Sequence, residues 1–188
     1  MFISDIMKKL LPLVGKEYVV PTTKNKGRPG LFLEGLLGIP PTQNCLDCID
    51  GELKLFPVKT LKNGSIVPKE TIAITMLSRE DLQTNDFKSS KCYKKMSRML
   101  VVPYHREGDM IRFMSPTLLD KNDERFWSLY QQLETDYETI RSHYRNTGIL
   151  QSSLGEYLQT RTKGPGHGSS SRAYYLRTSC IRIYVGNQ

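Results

Sequence analysis

No apolar stretch of this chain comes near the roughly 20 residues needed to cross a bilayer, which excludes a helical membrane protein. The opening segment Met1–Leu11 has Lys8 and Lys9 inside its apolar part, the wrong order for a secretory leader. The expected setting is therefore cytoplasmic and reducing. Cysteine is scarce, with Cys45, Cys48, Cys92 and Cys180 alone. A single CxxC (Cys45-Leu46-Asp47-Cys48) has no second to pair with, and His105, His143 and His167 lack zinc-finger spacing. Free buried thiols are expected ahead of a structural zinc. Internal repeats and coiled-coil heptads are missing, and the one low-complexity piece, Lys163–Ser171, is a Gly/Ser loop. At 188 residues, roughly 70% of the unfolded surface can be buried, so the chain is read as one domain, 1–188, with a real core.

Acidic residues are also in deficit, 19 against 27 Lys and Arg, a formal +8. Such an excess suits an anionic partner, nucleic acid first and an acidic membrane second.

Periodicity supplies the elements. The apolar run Leu31–Leu37 reads as a short helix closed by Gly38 and Pro40. Strands are expected over 52–58, 71–77, 97–104 and 110–114, the last two joined by the turn at 106–109. A long helix follows, capped by Asn122 or Asp123, with Phe126, Tyr130, Leu133, Tyr137, Ile140 and Tyr144 as its core stripe. Further strands are expected at 156–161 and 173–178. Central strands with helices before and after predict an α+β or mixed-sheet fold.

The chemistry concentrates in Asp47-Cys48-Ile49-Asp50-Gly51-Glu52-Leu53-Lys54. A strand alternates its side chains, so Glu52 and Lys54 share a face while Leu53 points into the core. Asp47 and Glu52, with the Leu53 backbone carbonyl, offer the hard oxygen ligands that Mg²⁺ requires. Lys54 could then position a water and help to acidify it. Asp50, two residues before Glu52, is the alternative to Asp47. Glu34 interrupts an otherwise apolar run, a costly placement for a carboxylate without a buried task.

Six segments in order carry a wider likeness. They are Lys26-Gly27-Arg28-Pro29-Gly30-Leu31-Phe32-Leu33-Glu34; Gly51-Glu52-Leu53-Lys54 with Pro57; Glu70-Thr71; Lys95 before Arg98-Met99-Leu100; Gly155-Glu156-Tyr157-Leu158-Gln159-Thr160-Arg161-Thr162-Lys163; and Tyr174-Tyr175-Leu176-Arg177. Together they resemble the MutH family of DNA endonucleases, which comprises the mismatch-repair nickase and related type II restriction enzymes. The resemblance runs from about Lys24 to Thr178. It implies a PD-(D/E)xK restriction-endonuclease-like fold, α+β, with a central mixed β-sheet flanked by helices. It implies that Asp47, Glu52 and Lys54 form the metal and nucleophile centre, that Glu34 reaches the same site, and that Lys95 is a further active-site lysine.

Recognition loops are implied at about 22–30 and 159–175. Lys26, Arg161 and Lys163 would be DNA-binding there, and Tyr175 matches a tyrosine that helps sense adenine methylation in the repair branch. Arginine suits a bidentate contact with guanine. The implied activity is Mg²⁺-dependent cleavage of double-stranded DNA at GATC-like sites. The restriction role is preferred over repair nicking, because the loop after Lys163 and the C-terminal tail are shorter than in the repair branch, which weighs against docking to a MutL-type partner. One centre cuts one strand, so a double-strand break needs a homodimer on DNA or two successive bindings. A non-catalytic DNA-binding module is the competing reading, and the intact Asp47, Glu52 and Lys54 argue against it.

Charge distribution agrees. From Lys88 to Arg98 there are five basic residues and no acidic one, whereas Leu118–Ile140 holds six acidic residues against Lys121 and Arg125. A basic cleft with an acidic back fits DNA better than a membrane surface.

Overall fold

The computed structural model describes residues 1–23, 27–40, 44–163 and 170–185. The predicted mixed architecture is present, as a sheet of six strands joined by a smaller one of three. Helix α1 (Ile3–Leu10) opens the chain and buries Ile3, Ile6 and Leu10. After β1 (Glu17–Val19) comes α2 (Arg28–Leu37), ended by Gly38 in the left-handed region at φ 69°. There it caps the helix as anticipated.

The next elements are β2 (Glu52–Thr60), β3 (Ile66–Pro68) and β4 (Ile72–Met76), then two short helices, α3 (Arg79–Thr84) and α4 (Lys91–Met96). The hairpin of β5 (Arg98–Glu107) and β6 (Met110–Phe113) follows, then β7 (Thr117–Asp120) and the long helix α5 (Trp127–Thr147). The chain closes with β8 (Leu158–Thr162), β9 (Arg172–Leu176) and α6 (Thr178–Tyr184).

In the large sheet the order is β1-β6-β5-β2-β3, with β7 also on β5. Its decisive pairing is parallel: β2 lies on β5 with Glu52 opposite Met99 and Lys54 opposite Val101. The small sheet, β4-β9-β8, is antiparallel and sets Tyr175 between Ala73 and Gln159.

Side-chain alternation along β2 separates two cores. Leu53 joins Ile6, Leu10, Leu33 and Leu100 beneath α1 and α2. Phe56 and Val58, on the same face as Glu52 and Lys54, join Met99, Val101, Leu133, Tyr137 and Ile140 beneath α5.

Asp123 does cap the long helix region, accepting from the Arg125 amide at 3.0 Å, but a 3-10 turn over Glu124–Phe126 precedes α5. The aromatic stripe packs as expected, with Leu133, Tyr137 and Ile140 buried. The stripe also carries an unanticipated buried acid, Asp136. Its carboxylate accepts the amides of Glu156, Tyr157 and Leu158 at 2.6–2.8 Å and fixes the chain where β8 begins.

Candidate active site

Four elements converge at the N-terminal end of β2. The strand presents Glu52, whose side chain is 0% exposed. Lys54, two residues on, places Nζ 2.5 Å from Glu52 Oε1. Helix α4 runs directly into β5, and β5 pairs with β2, so Lys95 in its last turn reaches the same oxygen at 2.6 Å. Thus one buried carboxylate oxygen carries two ammonium groups. The other, Oε2, accepts the Asp47 amide at 3.3 Å. Asp47 Oδ2 in turn accepts the Leu53 amide at 3.3 Å, which ties the loop before β2 onto the strand. Asp47 Oδ1 accepts no hydrogen bond among the described residues.

Gly51 makes this approach possible. A Cβ there would stand 2.5 Å from the Arg98 carbonyl oxygen and 2.8 Å from Ile3 Cγ1, so any larger residue would push β2 away from β5 and α1.

Glu34 belongs to the cluster electrostatically. Burial raises its pKa first, the negative charge of Asp47 raises it further, Lys54 lowers it and Glu52 raises it. The carboxyl on α2 therefore senses all three residues of the Asp47–Glu52–Lys54 centre. Asp50 lies elsewhere: it accepts the Ile3 amide at 2.7 Å and a guanidinium N–H of Arg98, which also lies 3.2 Å from Asp120. That carboxylate is engaged in joining α1 to β5, and Asp47 is the aspartate beside Glu52. Within the same loop the Cys48 thiol is buried and pushed up to about 11, by desolvation first and then by Asp47, so it stays protonated at neutral pH. Cys92 and Cys180 are buried, and Cys45 is partly exposed.

The family model for the DNA mismatch repair enzyme MutH matches residues 42–142, more than half of the chain. The chain belongs to the MutH family. With that it takes its place among DNA endonucleases, as the six motifs implied, and the MutH-like α+β arrangement accounts for the mixed sheet. Among curated proteins none matches the chain. The MutH match contains Asp47, Glu52, Lys54 and Lys95, and leaves Glu34 and the residues of β8 and β9 to the motif likeness alone.

MutH-like nucleases generally use divalent metals, and the donor set here suits a hard cation. Asp47 and Glu52 supply carboxylate oxygens close enough to raise Glu34 together. No group of three or more His, Cys, Asp or Glu side chains among the described residues could hold a metal ion unaided.

The residues assigned to recognition gather on the small sheet. Arg161, exposed on β8, lies over the Tyr175 ring at 5.9 Å and reaches Thr71 Oγ1 at 3.5 Å. Tyr175 is half-buried, and its pKa is raised by desolvation and lowered by Arg161. Lys163, just past β8, closes the hairpin through its amide to the Ser171 carbonyl at 2.9 Å. It lies two residues after Arg161 and is likewise exposed. Lys26 and the Gly164–Ser169 part of the loop lie outside the described residues. Among the described residues no helix is long and apolar enough to cross a membrane.

Proposed function

We propose that the chain is a Mg²⁺-dependent, sequence-specific endonuclease of double-stranded DNA, cutting at GATC-like sites in the manner of a type II restriction enzyme. The observation that carries the catalytic part is the buried Glu52 carboxylate held between Lys54 and Lys95, with Asp47 hydrogen-bonded to the same strand. Two ammonium groups on one carboxylate serve little structural purpose that a hydrophobic pair would not serve better. They do form a preorganised positive wall for a phosphodiester.

Asp47, Glu52 and the Leu53 carbonyl would hold the ion, which when bound supplies Lewis acidity toward the phosphate and lowers the pKa of water. The protein groups divide the remaining work. Glu52 orients both lysines through Oε1, and Oε2, which accepts the Asp47 amide, would share its remaining lone pair with the cation. Lys54 Nζ donates to the attacking water and holds it in line with the phosphorus. Lys95 Nζ offsets charge on the phosphate and on the departing oxygen. Glu34, made more basic by burial first and then by Asp47, is suited to accept a proton from that water. Arg161 on β8 and Lys163 just beyond it read base edges, with Tyr175 as the plane that fixes the Arg161 guanidinium. Cutting both strands takes two copies on one DNA, as a homodimer, or two successive bindings.

The description of the matched family, DNA mismatch repair, supports a second reading, a strand nickase acting in repair with a MutL-type partner. Plasmid DNA of known sequence, incubated with Mg²⁺ or EDTA and sequenced at the ends, tests both. Mg²⁺-dependent linear products with ends at one short sequence are expected. Nicked circles alone would favour the repair reading, and a protein that binds the plasmid without ever breaking it would overturn the enzymatic one.

A further inference from the structure

Lys95 reaches Glu52, whereas Lys91 and Lys94 on the same helix are exposed. A groove of about 580 Å³ runs beside this helix, lined among others by Cys45, Asp81, Lys88, Lys91, Tyr93 and Lys94. Lys91 and Lys94 are exposed and have no ion-pair partner among the described residues. Residues three apart on a helix are neighbours, and like charges so placed repel mildly, a repulsion that an anion lying across them would relieve. Lys88 meets Glu134 at 3.4 Å, with the two side chains 67% and 43% exposed. Such a solvated pair is worth little and exchanges readily for a phosphate. Asp81 is the only carboxylate in the lining, and its Oδ1 accepts the Asn85 side-chain amide at 2.5 Å.

The groove adjoins the candidate active site along the chain, and Lys91 stands one helical turn before Lys95. Cys45 precedes Asp47 by two residues, and Lys94 adjoins Lys95. Along α4, Lys91 and Lys95 are about 6 Å apart by the helical rise. That exceeds the roughly 3.4 Å of duplex axis per nucleotide of one strand, so the two lysines can meet neighbouring phosphates of one strand. A strand that presents one phosphate to the Lys54–Glu52–Lys95 cluster therefore carries its next phosphates along this wall.

We propose that the Lys88–Lys91–Lys94 groove binds the sugar-phosphate backbone of DNA immediately beside the phosphate to be cut. The assignment rests on the endonuclease reading above, since that reading places the reacting phosphate at Lys95. Backbone contacts of this kind position the duplex and carry no sequence information.

The test is binding of a fluorescein-labelled duplex without target sequence, in EDTA, over a range of salt. It compares wild type with Lys88→Ala/Lys91→Ala/Lys94→Ala and with a control of equal charge, Lys59→Ala/Lys62→Ala/Lys69→Ala. The control residues lie beside β2 about 16 Å or more along the strand from Glu52, by its rise per residue. Each phosphate contact contributes about 0.9 to the slope of log K against log salt. The groove variant should flatten the slope by about 2 to 3 and weaken binding at least tenfold at about 0.1 M salt, while the control changes the slope by less than about 1.

Cys45 supplies a readout that net charge does not move. It is the one cysteine that is not buried, and saturating duplex should slow its alkylation severalfold in wild type. Equal slopes for the two variants, or alkylation unaffected by DNA, would overturn the groove assignment and leave the nuclease reading intact. A wild-type chain that binds and protects Cys45 yet never nicks DNA in Mg²⁺ would sink the nuclease reading alone. A chain that binds no duplex would remove both.

Discussion

Replacing Lys54 by methionine keeps most of the side-chain volume and deletes the charge. In the folded protein Lys54 is 22% exposed, with Nζ 2.5 Å from Glu52 Oε1, and Lys95 stays on the same oxygen at 2.6 Å. The carboxylate is therefore not orphaned. The loss of one charge-assisted hydrogen bond is worth roughly 1.5–3 kcal/mol when its partner is left bare, and with Lys95 remaining it falls to about 1–2 kcal/mol. For a chain of this length that is a fall in Tm of roughly 2–8 °C, readable by calorimetry in EDTA.

The effect on cleavage should be far larger. Removing one preorganised donor from a developing anionic centre costs about 10²–10³ in kcat. Single-turnover cleavage of a plasmid at saturating enzyme should slow by that factor, with duplex binding in EDTA changed less than about twofold, since one contact of several is lost. A Lys54→Met protein that folds and cuts at near the wild-type rate would refute the role assigned to this lysine. So would a loss of cleavage accompanied by an equal loss of binding.

The two aspartates should part company. Asp47→Asn is expected to abolish cleavage with little change in Tm, whereas Asp50→Asn should lower Tm by several degrees through its Ile3 and Arg98 contacts and retain activity; the opposite pattern would exchange their roles. Arg161→Ala should reduce discrimination at one G·C pair by roughly 1–3 kcal/mol, and unchanged cleavage preference on a library of sites would contradict the assignment. Glu34 has its folded pKa raised above the ordinary 4.5, so the folded state holds that proton longer and stability falls as pH rises above about 4.5. Glu34→Gln should accordingly be more stable than wild type at pH 7 without divalent ions and lose that advantage below about pH 4.5; urea melts at both pH values check the sign.

The heart of the site was legible where chemistry and local periodicity coincide. Strand alternation alone put Glu52 and Lys54 together and sent Leu53 inward, and the structure has all three so placed. Lys95 was not legible in that way. In sequence it is one of five basic residues between Lys88 and Arg98, and only the parallel pairing of β2 with β5 separates it from its exposed neighbours. Asp50, two residues before Glu52, fitted the alternation, and the partners that take it away from the site, Ile3 and Arg98, lie 47 and 48 residues from it in the chain.

Asp136 was missed for a related reason. It lies between Leu133 and Tyr137 on the core stripe, and an acid there signals a buried acceptor only once three amides are known to point at it. Helix α1 was readable, with Ile3, Ile6 and Leu10 at helical spacing, but the segment had been weighed only as a leader.

The pairing that unites the site also dates it. Lys95 is 43 residues beyond the carboxylate it meets, and the two touch only when β5 has docked beside β2. A ribosome adding about 5–20 residues per second leaves Asp47, Glu52 and Lys54 without that lysine for roughly 2–9 s after they emerge. Parallel pairing of distant segments is among the slower steps of folding. The complete charge cluster is thus a late product of folding, and a nascent or partly unfolded chain carries only Asp47, Glu52 and Lys54 of it.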